Sequence, residues 1–129
     1  MTGMSEKQAL VPDASHPITI TPTRDRVVVQ LGDRTIADST SAMTLQEASY
    51  PPVQYIPLAD VDPELLQRTD HATFCPYKGD AGYYSLVIDG DTYDNAVWTY
   101  EAPYDAVAEI AGHVAFYPNV VDVRTYPSS

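Results

Sequence analysis

The chain has 129 residues, of which 44% are hydrophobic, a size and composition typical of one globular domain with its own core. The 18 acidic and 7 basic residues give a net charge of −11, which argues against a general nucleic-acid or anionic-membrane surface. A single cysteine excludes an intrachain disulfide and a multi-cysteine metal cage, and no apolar run approaches the roughly 20 residues that cross a bilayer.

The sequence divides into a short leader and one body. Residues 1–16 show no hydrophobic periodicity, so we expect a flexible N-terminal leader, and its polar, acid-bearing start is unlike a secretory signal. Residues 17–129 are predicted to form a single β-rich domain. Without a recognisable secretory signal, the default expectation is the cytoplasm.

Short extended runs separated by turn residues fill the first part of the body. Val27–Leu31 and Arg34–Asp38 flank Gly32-Asp33, a pattern that predicts a β-hairpin. Three further runs are predicted strands, namely Ile18–Thr21, Met43–Glu47 and Gln54–Ile56.

Two short helices are predicted. Leu58–Arg68 contains Asp62 followed by Pro63, an N-cap residue with proline at the first helical position. Pro103–Ala111 has an apolar face and ends at Gly112. The residues of that face are Ala106, Val107 and Ile110.

Strands are predicted again in the second half of the chain. Tyr83–Ile88 and Thr92–Tyr100 flank a hairpin turn, and Pro76–Gly82 is a predicted turn after an extended run. The remaining extended runs are Ala72–Cys75, His113–Tyr117 and Val120–Arg124. The whole pattern predicts a β-rich α+β domain of one or two curved antiparallel sheets, with the helices closing an end or a side.

Residues 73–84 concentrate the side chains with special chemistry. They include Cys75, the single cysteine, and Lys78, the only lysine besides Lys7. Lys78 offers a compact ammonium group to an anion, whereas Cys75 is either a nucleophile or a small buried core residue. Zinc ligand types occur at His71, Cys75 and His113, but their spacing matches no closed structural site, so no metal site is predicted.

Two later strands carry aromatic and titratable side chains. Trp98 and Tyr100 share a strand face and form either a stacking platform for a planar ring or a core layer. His113 and Tyr117 share a face of the next strand, where His113 is either a general acid–base or a structural residue. Cys75 with His113 as its base is a sufficient nucleophilic pair if the two side chains meet.

Several strings of the sequence resemble a bacterial family known as domain of unknown function 427, which carries a nucleotidyltransferase-like label. The matching strings are Tyr55-Ile56-Pro57, Thr73–Ala81, Ala96–Tyr100 and Ile110–Tyr117. Related chains have a glutamate at the place of Glu47. The resemblance implies a compact β-dominated body with tent-like sheets, and it implies no established reaction.

These observations predict a small-molecule site, with the question of catalysis left open. The expected ligand is anionic, bearing a phosphate or a carboxylate, and a nucleotide is one such ligand. The catalytic candidates are Cys75, His113 and Glu47. The ligand-binding candidates are Lys78, Tyr55, Tyr77, Trp98, Tyr100 and Tyr117.

Two other classes of function remain as alternatives. A protein-interaction module would use exposed tyrosine and tryptophan side chains, or pair strand edges with a peptide or a second copy of the chain. A metal-dependent or redox enzyme would depend on one cysteine and three histidines. No cofactor, nucleic-acid partner or membrane partner is predicted, and a homo-oligomer is left open.

Overall fold

The computed structural model describes residues 9–127 and is built almost entirely of antiparallel strands. In chain order the strands are β1 (Ile18–Pro22), β2 (Arg26–Leu31), β3 (Arg34–Ser39), β4 (Met43–Glu47), β5 (Val53–Pro57), β6 (Leu66–Cys75), β7 (Gly79–Ile88), β8 (Asp91–Thr99), β9 (His113–Phe116) and β10 (Asp122–Tyr126). The β-rich single domain that the sequence predicted is therefore confirmed. No helix in the described part of the chain is long and apolar enough to cross a bilayer.

The prediction of two helices is wrong, because both regions form only short 3-10 segments. Leu58–Asp60 and Pro63–Leu65 are single 3-10 turns, and the chain then continues as β6. Asp62 does act as the N-cap by accepting a hydrogen bond from the Glu64 N–H. A cap alone cannot sustain a helix where no apolar face continues, and pairing with β7 satisfies the backbone of the following residues instead.

The second predicted helix is a 3-10 segment at Asp105–Ile110 with a break inside it. Val107 has φ −128° and ψ 28°, which is outside helical geometry. Val107 and Ile110 are buried, as expected of the predicted apolar face, but Ala106 is exposed. Side chains three residues apart share a face of a 3-10 segment, so Val107 and Ile110 point inward together while Ala106 does not.

Both predicted hairpins form. Gly32 has φ 59° between β2 and β3, and Asp89 and Gly90 have φ 52° and 87° between β7 and β8. Both central residues of the β7–β8 turn therefore have positive φ, the geometry of a two-residue hairpin that matches strand twist, whereas in the β2–β3 turn only Gly32 does. The predicted turn at Pro76–Gly82 is shorter than expected, because β7 already begins at Gly79.

The strands form a seven-stranded sheet in the order β1-β4-β5-β9-β8-β7-β6 and a three-stranded sheet in the order β10-β2-β3. Side chains alternate between the two faces of the large sheet. Ile56, Val97 and Val114 belong to a core that includes Val27 and Val29 of the small sheet. The adjacent residues Tyr55, Trp98 and Ala115 contribute to a second core on the opposite face of the large sheet.

The second core is rich in tyrosine. It contains Tyr55, Tyr83 and Tyr100 together with Val107 and Ile110 of the last 3-10 segment. Three of its members are phenols, whose hydroxyl groups need polar partners when they are buried. This face of the large sheet therefore combines apolar packing with polar groups, and the candidate site lies there.

Candidate functional site

A cavity of about 180 Å³ opens on the tyrosine-rich face of the large sheet. Its wall includes six residues that the sequence singled out, which are Glu47, Tyr55, Lys78, Trp98, Tyr100 and Tyr117. They come from distant parts of the chain: the end of β4, strands β5 and β8, the β6–β7 turn, and the residues just after β8 and β9. The structure therefore brings most of the candidate ligand-binding residues together.

Lys78 is held in a tight turn and is almost fully buried, with 7% of its surface exposed. Its backbone N–H donates to Cys75 O, and its carbonyl accepts a hydrogen bond from the Tyr104 N–H. Gly79, which follows, has φ 108°, a conformation that favours glycine. These contacts fix the direction in which the lysine side chain leaves the turn.

The Lys78 ammonium group makes an ion pair with Glu47. Lys78 Nζ lies 2.5 Å from Glu47 Oε1, and Lys78 Nζ also donates to Cys75 Sγ at 3.7 Å. Two of its three N–H groups are therefore used within the protein. The pair is largely shielded from water, so removing one partner leaves a poorly solvated charge.

The other oxygen of Glu47 is bound by His16. His16 Nε2 lies 2.7 Å from Glu47 Oε2, and the imidazole ring stacks on Tyr77 with ring centres 4.1 Å apart. Burial alone raises the pKa of Glu47, but the hydrogen bonds from Lys78 and His16 outweigh this and hold the pKa below its usual value. Both oxygens of this carboxylate are thus oriented by partners.

His16 comes from the segment that the sequence analysis assigned to a flexible leader. Residues 1–8 of that leader lie outside the described residues. Further along, the Leu10 N–H donates to Pro76 O, and Asp13 accepts hydrogen bonds from the backbone of Ser15 and His16. Sequence reasoning missed His16 because its partners are more than 30 positions away and no local pattern marks it.

Two buried phenols on the cavity wall have incomplete hydrogen bonding. Tyr55, with 2% of its surface exposed, accepts a hydrogen bond from Trp98 Nε1 at 3.1 Å. Tyr100 is 8% exposed, and its hydroxyl has no hydrogen-bond partner among residues 9–127. Burial raises the pKa of both phenols, so they remain protonated donors at any physiological pH.

Aromatic rings form the rest of the wall. Trp98 lies with its ring centre 4.6 Å from that of Tyr117 at an interplanar angle of 52°. Burial, followed by contact with Tyr83, raises the pKa of Tyr117 to about 12. Tyr83, which the sequence analysis did not select, pairs with Trp98 across β7 and β8 and also lines the cavity.

Three other candidates lie outside the cavity wall. Cys75 packs against the tyrosine-rich core and touches the cavity residues through Lys78. Tyr77 is stacked on His16. His113 begins β9 opposite Pro57, and its Nδ1 lies 2.9 Å from Ala111 O.

The direction of β5 explains the position of His113. Pro57 is the last residue of β5, whereas the cavity-lining Val53 is its first. Four residues of antiparallel strand span about 13 Å, so His113 and Val53 lie at opposite ends of β5. No hydrogen bond joins His113 to Cys75 in the described part of the chain.

The three residues with zinc ligand types are also apart. His71 contacts Tyr83 with ring centres 4.5 Å apart and the rings tilted by 57°, Cys75 lies beside Lys78, and His113 lies at the far end of β5. Over residues 9–127 no three histidine, cysteine, aspartate or glutamate side chains converge in a way that suits a metal ion.

Comparison with known sequences agrees with the resemblance carried by the motifs. No curated protein matches the chain. A family model described as a domain of unknown function, DUF427, and labelled NTP_transf_9 matches residues 19–126, which span every strand from β2 to β10 and nearly all of β1. The matched region includes all the cavity residues, and the chain therefore belongs to the DUF427 family.

Proposed function

We propose that the protein binds a small molecule in the cavity beside Lys78, with a planar part against Trp98 and a hydrogen-bond acceptor at the Tyr100 hydroxyl. The observation that carries the proposal is the buried Tyr100 hydroxyl, which lines the cavity without a protein partner. A ligand acceptor placed there would form a hydrogen bond that no described residue makes, worth about 0.5–1.5 kcal/mol net.

The unused hydrogen-bonding capacity of the wall includes three donors, one of which is the Tyr100 hydroxyl. The Tyr55 hydroxyl accepts from Trp98, which leaves its own O–H free, and Lys78 has one N–H beyond those used by Glu47 and Cys75. Glu47, the acceptor on the wall, is already engaged at both oxygens. The complementary ligand group is therefore rich in acceptors, such as a carboxylate, an amide or a carbonyl.

The charges in the site limit how much negative charge the ligand suggested by the sequence can carry. Glu47 compensates the charge of Lys78 at 2.5 Å, and its carboxylate would lie near any anion bound there. A doubly charged phosphate would meet more repulsion than a carboxylate or a neutral carbonyl. We therefore favour a ligand whose acceptor group carries one negative charge or none.

The size of the cavity favours one ring. An apolar cavity of about 150 Å³ in another protein is known to hold benzene, and this cavity measures about 180 Å³. An adjoining apolar groove of about 510 Å³ shares Tyr50, Pro51, Val53 and Trp98 with the cavity wall. A substituent on the ring would extend into that groove.

Fluorescence titration tests the proposal, because Trp98 is the single tryptophan of the chain. Benzamide, benzoate and phenyl phosphate present one ring with a neutral, a singly charged and a doubly charged group. We expect saturable binding of benzamide or benzoate, weaker binding of phenyl phosphate, and a loss of about tenfold or more in Tyr100→Phe, equivalent to about 1.4 kcal/mol. No response to any of them, or equal binding by the variant, would contradict the proposal.

The alternative of a protein-interaction module is supported by Tyr50, which is 60% exposed at the junction of the cavity and the groove. Aromatic side chains in such positions often dominate protein interfaces. If the protein self-associates in sedimentation experiments and Tyr50→Ser abolishes this, while no ring compound binds, the interaction role is favoured. Unchanged association in Tyr50→Ser would remove its support.

A further inference from the structure

We propose that Lys78 forms a Schiff base with an aldehyde or ketone held in the cavity. This inference rests on the proposed small-molecule binding and adds the substrate class and the reacting atom. Lysine amines form Schiff bases with carbonyl compounds, and burial favours the neutral, nucleophilic amine over the ammonium form. Lys78 is only 7% exposed, and Glu47 Oε1, 2.5 Å from Lys78 Nζ, is the group placed to receive the proton that the amine must lose before it attacks.

The cavity that contains Lys78 also offers a hydrogen-bond donor to the carbonyl oxygen. Tyr100 lines the same cavity with an unpartnered hydroxyl, and Lys78 Nζ lies 6.0 Å from the centre of the Tyr100 ring. A fixed donor aimed at an oxygen that gains negative charge stabilises the transition state of carbonyl addition. Tyr100 is therefore the group expected to bind the carbonyl oxygen while Lys78 attacks the carbon.

Proton transfer between Lys78 and Glu47 completes the sequence of steps. The ammonium group gives a proton to Glu47, and the nitrogen lone pair then forms a C–N bond while the carbonyl π electrons move to oxygen. Glu47 protonates that oxygen and takes a second proton from nitrogen, which gives a neutral carbinolamine. The C–O bond then breaks as Glu47 returns its proton, so that one water leaves and a protonated imine faces the carboxylate.

These steps balance without an oxidant, a reductant or a metal ion. One ammonium group and one carbonyl compound become one protonated imine and one water, and Glu47 ends as the carboxylate it was. His16 contacts the other oxygen of Glu47 at 2.7 Å and so acts as a positioning residue for the proton acceptor. Lys78, Glu47 and His16, the residues that move or position these protons, are already in contact.

The chain is well suited to a trapping experiment because it has only two lysines, Lys7 and Lys78. The full chain is incubated with benzaldehyde and sodium cyanoborohydride, which reduces an imine to a stable secondary amine. Mass spectrometry of the intact protein and of its peptides then locates the added benzyl group. We expect modification of Lys78 at least tenfold faster than at Lys7, and the Lys7→Arg variant retains it.

Two variants test the assigned roles. Lys78→Arg cannot form the imine and is expected to lose the adduct at this position. Glu47→Gln retains the shape of the side chain but cannot take up the proton, and we expect adduct formation to slow by about a hundredfold or more. Thermal unfolding of each variant establishes that it is folded. Tyr100→Phe is expected to fold stably and also to form the adduct more slowly.

The outcomes separate the two proposals. If benzamide alters Trp98 fluorescence but Lys78 is labelled no faster than Lys7, ligand binding stands and the Schiff base is overturned. If Lys78 is labelled at an unchanged rate in folded Glu47→Gln, the proton-transfer role is overturned. If no ring compound binds and no adduct forms, the proposed function itself fails.

Discussion

Lys78 Nζ and Glu47 Oε1 are 2.5 Å apart, although three strands separate the elements that carry them. Glu47 ends β4 and Lys78 precedes β7, and β5, β9 and β8 lie between these strands in the large sheet. In a flat sheet, four strand spacings would place β4 and β7 about 19 Å apart. The ion pair therefore requires the large sheet to curl, and the curl makes the cavity concave.

Loss of the lysine should destabilise the fold. In Lys78→Met, the Glu47 carboxylate keeps His16 but loses its cation, and breaking a buried ion pair in this way costs about 3 kcal/mol. Urea unfolding measures the change. In the double variant Lys78→Met, Glu47→Leu no charge is stranded, so we expect recovery of much of the loss; equal instability of the single and double variants would contradict this account.

The stability of the protein should fall in acid, partly through Glu47. Its pKa is lower in the folded protein than the ordinary value of 4.5. The stabilising contribution is therefore fully present above 4.5 and is lost as the pH falls through the lower folded-state value. Urea unfolding of the protein and of Glu47→Gln across this range should show two curves that converge in acid; parallel curves would show that Glu47 makes no such contribution.

The two buried phenols should respond in opposite directions to removal of their hydroxyls. Tyr100→Phe removes an unpartnered polar group and should raise the free energy of unfolding by about 1 kcal/mol. Tyr55→Phe removes the acceptor of the Trp98 Nε1–H and should lower it by about 1–3 kcal/mol. Thermal and urea unfolding of this matched pair are the measurement, and a loss of stability in Tyr100→Phe would reveal a partner for its hydroxyl.

Two glycines near the site should differ in their tolerance of alanine. At Gly79 the φ of 108° is strained for any side chain, so Gly79→Ala should cost about 1–3 kcal/mol and disturb Lys78. At Gly82 the three atoms nearest to an added Cβ all belong to the Arg68 guanidinium, a flexible group that could move, at the expense of its hydrogen bonds to Glu101 and to the carbonyls of Thr69 and Tyr83, without straining the backbone. Urea unfolding should thus rank Gly82→Ala as the milder change, and the reverse order would contradict the strain argument.

Part of the cavity could be predicted from strand periodicity. Trp98 and Tyr100 were placed on one face because alternate residues of a strand point the same way, and both line the cavity. The same rule applied to His113 and Tyr117 gave only a shared face, and only Tyr117 reaches the cavity wall. Periodicity specifies the face of a side chain but not its position along the neighbouring strand.

The sequence by itself determined the β-rich character, the hairpins at Gly32 and Gly90, and the tight turn that carries Lys78, because these depend on residues close together in the chain. Only the tertiary structure decided that Lys78 meets Glu47 and that His16 binds the same carboxylate. Those contacts depend on strand order and on the curl of the large sheet. Both arise when apolar side chains distant in sequence pack into shared cores. The local spacing of residues does not predict which strands will be neighbours.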